Sequence, residues 1–221
     1  MIPRMDGSKE ARSEDRRRTT PPPSRSPTQD FARGAQRGDR DSFEALYHRL
    51  SPAVFAWASL RAASLLRGRL APEDLVQEVW FRAHQAFPSY DPAKRPFRRW
   101  FFGVAKNVLL EMVRQLHRIR HVQPPEGGTP QRGRIEGQPT DATSVTRRVS
   151  RAEALRFLEE VHRLSEGDRE LLVLCGLEAL TCAEAAERLG IAASTAIKRW
   201  QRLRERLRES PMAARILEDQ T

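Results

Sequence analysis

The chain is short of several things, and each shortage narrows what it can be. Its 221 residues include only two cysteines, Cys175 and Cys182. With no second pair and no histidine cluster beside them, they point away from a disulfide framework or a zinc site and toward small buried residues in a reducing compartment. No apolar run is long enough to span a bilayer, and the N-terminal stretch has no apolar signal core, so a cytoplasmic protein without membrane insertion is expected. No stretch alternates in the manner of a strand, which predicts an all-α fold. A phosphate-cradling glycine loop is missing, and His48, His84, His117, His121 and His162 form no metal constellation. No catalytic residue, metal or cofactor is assigned, and an enzyme acting on nucleic acid is the weakest class considered.

Lysine is also scarce, present only at Lys9, Lys94, Lys106 and Lys198, yet the chain carries a net charge of +10. Arginine supplies the difference. A positive balance of this size suits a polyanionic partner, with nucleic acid ahead of an acidic membrane because no lipid-facing helix is evident. Charged residues make up 31% of the chain against 39% hydrophobic, so a core is attainable only if the polar residues gather in tails and linkers.

They do gather. Residues 1–29, with Pro21, Pro22, Pro23 and Pro27 and few apolar side chains, read as a disordered tail. From Asp30 the spacing becomes helical, with Phe43, Leu46, Tyr47, Leu50, Val54 and Phe55 on one stripe and Pro52 expected to kink or divide the element. Pro72, Glu73 and Asp74 look like a helix first turn, followed by the stripe Leu75, Val76, Val79, Trp80, Ala83 and Phe87. A Pro88–Pro96 loop leads to the most apolar periodic segment, in which Phe97, Trp100, Phe101, Val104, Ala105, Val108, Leu109, Met112, Val113 and Leu116 share a face. These stretches predict one helical domain over 30–118. Residues 119–149 read as a flexible Pro/Gly-rich linker, 150–210 as a second, four-helix domain, and 211–221 as a C-terminal tail.

The second domain holds the clearest local signal. Thr181 and Glu184 are spaced as a capping box, Ala185, Ala186 and Leu189 give the helix a small-residue inner face, and Gly190 ends it. A second helix then begins at Ser194 or a neighbour. Ala196, Trp200, Leu203 and Leu207 form its buried stripe, while Lys198, Arg199, Arg202, Arg204, Arg206 and Arg208 are left outward. This is a helix-turn-helix pattern with a cationic second helix suited to DNA. Ser165 and Asp168 predict the start of the helix before it.

Taken in order, DLVQEVWFRAHQAF, YDPAKRPFRRWFFGVAKNVLLEMVRQ, a linker, and LSEGDRELLVLCGLEALTCAEAAERLGIAASTAIKRWQRLRERLRE resemble the extracytoplasmic-function (ECF) class of bacterial RNA polymerase sigma factors, within the sigma-70 family. The resemblance implies a region 2-like bundle and a region 4-like helix-turn-helix domain. It also implies core RNA polymerase as partner, through the clamp helices of the largest subunit and the flap, together with promoter DNA and an anti-sigma factor. On that footing Asp74, Gln77 and Glu78 are the polymerase-docking candidates. Tyr90, Lys94, Arg95, Phe97, Arg98, Arg99 and Asn107 are the candidates for binding and melting the −10 element, the bases meeting the strand backbone and the aromatics offering contact surface. Ser194, Thr195, Lys198, Arg199 and Arg202 are the −35 candidates. The chain departs from the family pattern at Gly103, Ile197 and Trp200. The competing reading is a free-standing helix-turn-helix regulator that binds duplex DNA alone; the docking helix and the basic aromatic loop after it are what such a regulator has no need of.

Overall fold

The computed structural model describes residues 26–66, 71–121 and 141–218. The greater part of the expected N-terminal tail, residues 122–140 of the expected linker and the last three residues lie outside them. Among the described residues the regular structure is all helical. Helix α1 spans Pro27–Gln36, α2 Arg40–Leu66, α3 Pro72–Ala86, α4 Phe97–His121, α5 Asp141–His162, α6 Glu166–Leu171, α7 Cys182–Leu189, α8 Ala193–Arg206 and α9 Pro211–Glu218. A 3-10 turn, Phe87–Ser89, follows α3, and a π-helical turn, Leu172–Leu177, continues α6.

Four boundaries differ from the sequence reading, and in each case local or tertiary chemistry outweighs composition. The tail ends earlier than expected. Pro27 lies in the first turn of α1, where proline needs no amide partner, and the Ser26 hydroxyl caps the helix by accepting from the Gln29 amide at 3.3 Å. Pro52 does not divide α2, which runs through it as one helix; packing on several flanks outweighs the roughly 3 kcal/mol an interior proline costs. Helix α5 starts at Asp141, inside the stretch read as linker. The C-terminal tail is helix α9, opened by Pro211 and anchored by buried Met212, Ala213 and Ile216.

Helices α1 to α4 pack around Leu46, Leu50, Leu75, Val79, Phe97 and Phe101. The second unit gathers α6 to α9 around Leu171, Leu177, Trp200, Leu203 and Ile216. The two units meet along α2, against which α5, α9 and the π turn all pack. This explains why every residue from Ser51 to Ala58 is buried: a helix enclosed on one flank by its own domain and on another by its neighbour has no wet face there.

The helix-turn-helix forms as expected. Thr181 and Glu184 make the reciprocal capping box, and Gly190 takes φ 64°, ψ 32°, the left-handed conformation that glycine adopts without penalty. The Ser165 hydroxyl accepts from the Asp168 amide and starts α6. The π turn has its own logic. A Cβ on Gly176 would lie 2.9 Å from Leu172 Cδ1 and 3.2 Å from the Trp200 ring, so the glycine makes room for the indole that departs from the family pattern.

Candidate nucleic-acid interface

Helix α8 presents its candidates through its anchor. Ala196, Trp200, Leu203 and Leu207 are buried, and Ser194, Thr195, Lys198 and Arg202 are exposed. Their spacing of one, four and eight residues keeps the four near one helix face. Ile197 is exposed beside them. Arg199 differs: its guanidinium donates from Nε at 3.0 Å and Nη2 at 2.7 Å to one oxygen of Asp168, bracing α8 against α6. Burial pushes the Asp168 carboxyl upward, but the Arg199 and Ser165 hydrogen bonds outweigh it and hold the group below its ordinary value.

The Tyr90–Asn107 candidates divide sharply. Lys94, Arg95 and Asn107 are exposed, on the loop and on the outer side of α4. Tyr90 and Phe97 are interior, 3% and 1% exposed, so neither offers a splayed base a contact surface in this arrangement. They stack instead with Phe87 and the half-buried Trp100 at centroid distances of 5.1–6.4 Å. The Tyr90 hydroxyl donates to the Arg95 carbonyl at 3.1 Å, and burial pushes its pKa up. Gln29 closes this cluster: its amide nitrogen donates to the Tyr90 hydroxyl at 2.8 Å, and its oxygen accepts from the Phe97 amide at 2.9 Å. Hydrophobic spacing had marked Trp100 and Phe101 as core; Phe101 is fully buried, and Trp100 only partly.

Arg98 and Arg99 are engaged by the second unit. Arg98, 3% exposed, donates from Nε to the Leu177 carbonyl at 3.2 Å and lies 5.7 Å from the centre of the Phe102 ring. Arg99 pairs with Glu184 of the capping box. The Thr181 amide, Arg99 and the Thr181 hydroxyl together hold the Glu184 carboxyl at about 2, well below its ordinary 4.5.

On α3, Gln77 is exposed and Asp74 half-buried, while Glu78 accepts from Arg82 at 2.7 Å. Arg82 also reaches Glu111 of α4 at 3.6 Å. Phe81 and Leu110, one on each of these helices, are exposed apolar side chains.

The sequence reading missed one group altogether. Glu178, 1% exposed, accepts from Trp57 Nε1 at 3.0 Å and Arg61 Nη2 at 3.2 Å on one oxygen, and from Lys106 Nζ at 3.2 Å on the other. Arg188 stands 3.7 Å away. The available signal was a single carboxylate inside an otherwise apolar run, LLVLCGLEAL; the cations that meet it come from distant segments and carried no local mark. Burial pushes the Cys175 thiol up to about 12, with Cys182 adding to the shift, which keeps it protonated and unreactive. Among the described residues no helix is long and apolar enough to cross a membrane, and no group of three or more His, Cys, Asp or Glu is placed to hold a metal ion.

Comparison with known proteins gives a consistent result. A family model described as Sigma-70 region 2 matches residues 46–119, and one described as Sigma-70, region 4 matches 154–207. The chain is 31% identical over 139 residues to the RNA polymerase sigma factor CnrH of Cupriavidus metallidurans, covering 61% of this chain and 70% of that protein. It is 26% identical over 181 residues to the ECF RNA polymerase sigma factor SigD of Mycobacterium tuberculosis, covering 80% of each. Against the solved structure of CnrH in complex with the cytosolic domain of CnrY, the match covers 88% of this chain and 99% of that one at 22% identity, with a TM-score of 0.37.

Proposed function

Because this chain belongs to the ECF class of the sigma-70 family, and so is an RNA polymerase sigma factor, we propose a division of labour among its helices. Helix α3 docks core polymerase through Asp74, Gln77 and Glu78. The loop and helix from Lys94 to Asn107 engage the −10 element and its separated strand. Helix α8 reads the −35 element with Ser194, Thr195, Lys198 and Arg202. The protein contributes binding and strand capture rather than covalent chemistry, so its work is done by cations on phosphate and by polar side chains on base edges.

The observation that carries this reading is the split of α8 into a buried apolar stripe and an outward polar face with two hydroxyls, a lysine and an arginine. Arg199 is left out of base reading because Asp168 holds it. Tyr90 and Phe97 are proposed to shape the loop from behind, and Trp100, which keeps part of its ring at the surface, is the better placed aromatic. CnrH has been solved in complex with the cytosolic domain of a second protein, CnrY; for this chain a protein partner acting as an anti-sigma factor is proposed.

The test is capture of core RNA polymerase by the purified chain, comparing wild type with a triple Asp74→Ala, Gln77→Ala, Glu78→Ala variant of unchanged helical content. Capture by the wild type and its loss in the variant is the expected result. A wild type that ignores polymerase but binds duplex DNA would move the assignment to a free-standing regulator.

A further inference from the structure

We propose that Ile197 and Gln201 of α8 together read A·T pairs of the −35 duplex, Ile197 by packing on the C5 methyl of a thymine and Gln201 by bonding the N6 and N7 edge of an adenine. Both roles rest on the assignment of α8 to the −35 element given above.

Ser194, Ile197, Lys198, Gln201 and Arg202 follow one another at steps of three and four along α8, the spacing that keeps side chains on one side of a helix. All five are exposed. Ser194, Lys198 and Arg202 are already assigned to the element, and the other two complete its face. Ile197 is 44% exposed although Trp200, one turn on, is buried, so an isoleucine is held in water among polar and cationic neighbours. A single apolar side chain needs no explanation on an ordinary surface. This one stands on the face offered to a major groove, where the thymine methyl is the apolar group that a base edge presents. Ile197 is also one of the three positions at which the chain departs from the family pattern, so the contact would be particular to this protein.

Gln201 lies four residues beyond Ile197. Among the described residues no hydrogen bond or ion pair engages the side chain of Lys198, Gln201 or Arg202. A free primary amide carries a donor and an acceptor. That pair matches adenine, which offers the N7 acceptor and the N6 donor, whereas guanine offers two acceptors and calls for a cation. Four residues advance a helix by about 6 Å, and stacked bases lie about 3.4 Å apart, so along a groove the two side chains address pairs about two steps apart. The cations available for guanine are fewer than the arginine content suggests. Arg199 is held by Asp168, and Arg208 stands 3.5 Å from Glu205. Lys198 and Arg202 therefore supply the charge of this face, and Ile197 and Gln201 supply its neutral readers.

The experiment uses the holoenzyme formed by the full chain and core RNA polymerase. Duplexes retained from a library randomised upstream of the start site give the preferred element. Each of its thymines is then replaced by deoxyuridine, which lacks only the methyl, and each adenine by 7-deazaadenine, which lacks the N7 acceptor. One deoxyuridine position should weaken wild-type binding about four-fold, the value of one buried methyl group, and leave Ile197→Ala unaffected. One 7-deazaadenine position should weaken the wild type on the order of five-fold and leave Gln201→Ala unaffected. Both couplings are required. Both residues are exposed, so neither variant should shift thermal unfolding. An element without A·T pairs, no penalty at any thymine, or a penalty that persists unchanged in the matching variant overturns the proposal and leaves −35 reading to Lys198 and Arg202. Failure to form the holoenzyme, or retention with no upstream sequence preference, sinks the underlying reading of the chain instead, so the two failures are told apart.

Discussion

The two surfaces proposed to meet DNA use the same residue type to opposite ends. On α8, Lys198 and Arg202 stand clear in solvent over a stripe of Ala196, Trp200 and Leu203. On α4, Arg98 and Arg99 are engaged by protein acceptors, and the neighbouring aromatics face inward. Both helices are arginine-rich and both carry the expected motif, yet one is ready for a ligand and the other is occupied. What separates them is what the facing element offers. The face of α8 that carries Lys198 and Arg202 is exposed, whereas α4 lies beside a segment lined with acceptors.

That contrast can be broken most forcefully at Phe97. Replacing a fully enclosed ring, Phe97→Ala, should cost about 3–5 kcal/mol of stability, measured by denaturant unfolding; an unchanged unfolding midpoint with defective promoter opening would make Phe97 a base platform after all. Next comes Gly176→Ala, which drives a methyl against Leu172 and the Trp200 indole and should cost about 1–3 kcal/mol. Trp200→Leu in the same chain should recover part of that loss, and simple additivity in the double-mutant cycle would refute the pairing.

A smaller effect concerns Glu184. Its folded pKa is depressed from 4.5 to about 2, so the stability it contributes is present above about pH 4.5 and is lost as pH falls toward 2. Melting temperatures of wild type and Glu184→Gln should therefore differ at pH 6 and converge through that window; a constant gap would show that the carboxylate charge is not what matters. The smallest stability change is expected at the exposed end of the comparison. Arg202→Ala should leave stability within about 0.5 kcal/mol while lowering the salt dependence of DNA binding by about one counterion. A large loss of stability there would mean that α8 is tied up in protein contacts to the same degree as α4.

Much of this was readable from local spacing, because local spacing is what caps and stripes depend on. The Thr181 and Ser165 caps, the Gly190 turn and the buried stripe of α8 all formed where their residues stand. The N-terminal tail was read from its prolines and its few apolar residues, yet Pro27 opens α1; Pro211 likewise opens α9 within the stretch expected to be a C-terminal tail. The −10 candidates come from a resemblance, which carries residue type but not burial; the apolar stripe also holds Phe97, which is buried as that spacing predicts, and Tyr90 is buried beside it. Arg199 and Glu178 were illegible for a different reason. Their partners, Asp168 for one and Trp57, Arg61 and Lys106 for the other, are 31 to 121 positions away, and no single-segment pattern encodes a pairing of that range.

Helix α2 has a consequence for how the molecule is made. Its Ser51–Ala58 stretch has no wet side, yet elements that cover it, α5, the π turn and α9, are translated later. At roughly 5–20 residues per second, the ribosome leaves several seconds during which one flank of α2 is finished but uncovered. The nascent first domain is thus a sticky intermediate, and a chain cut before α5 should precipitate or recruit chaperones even though every helix of that domain is present.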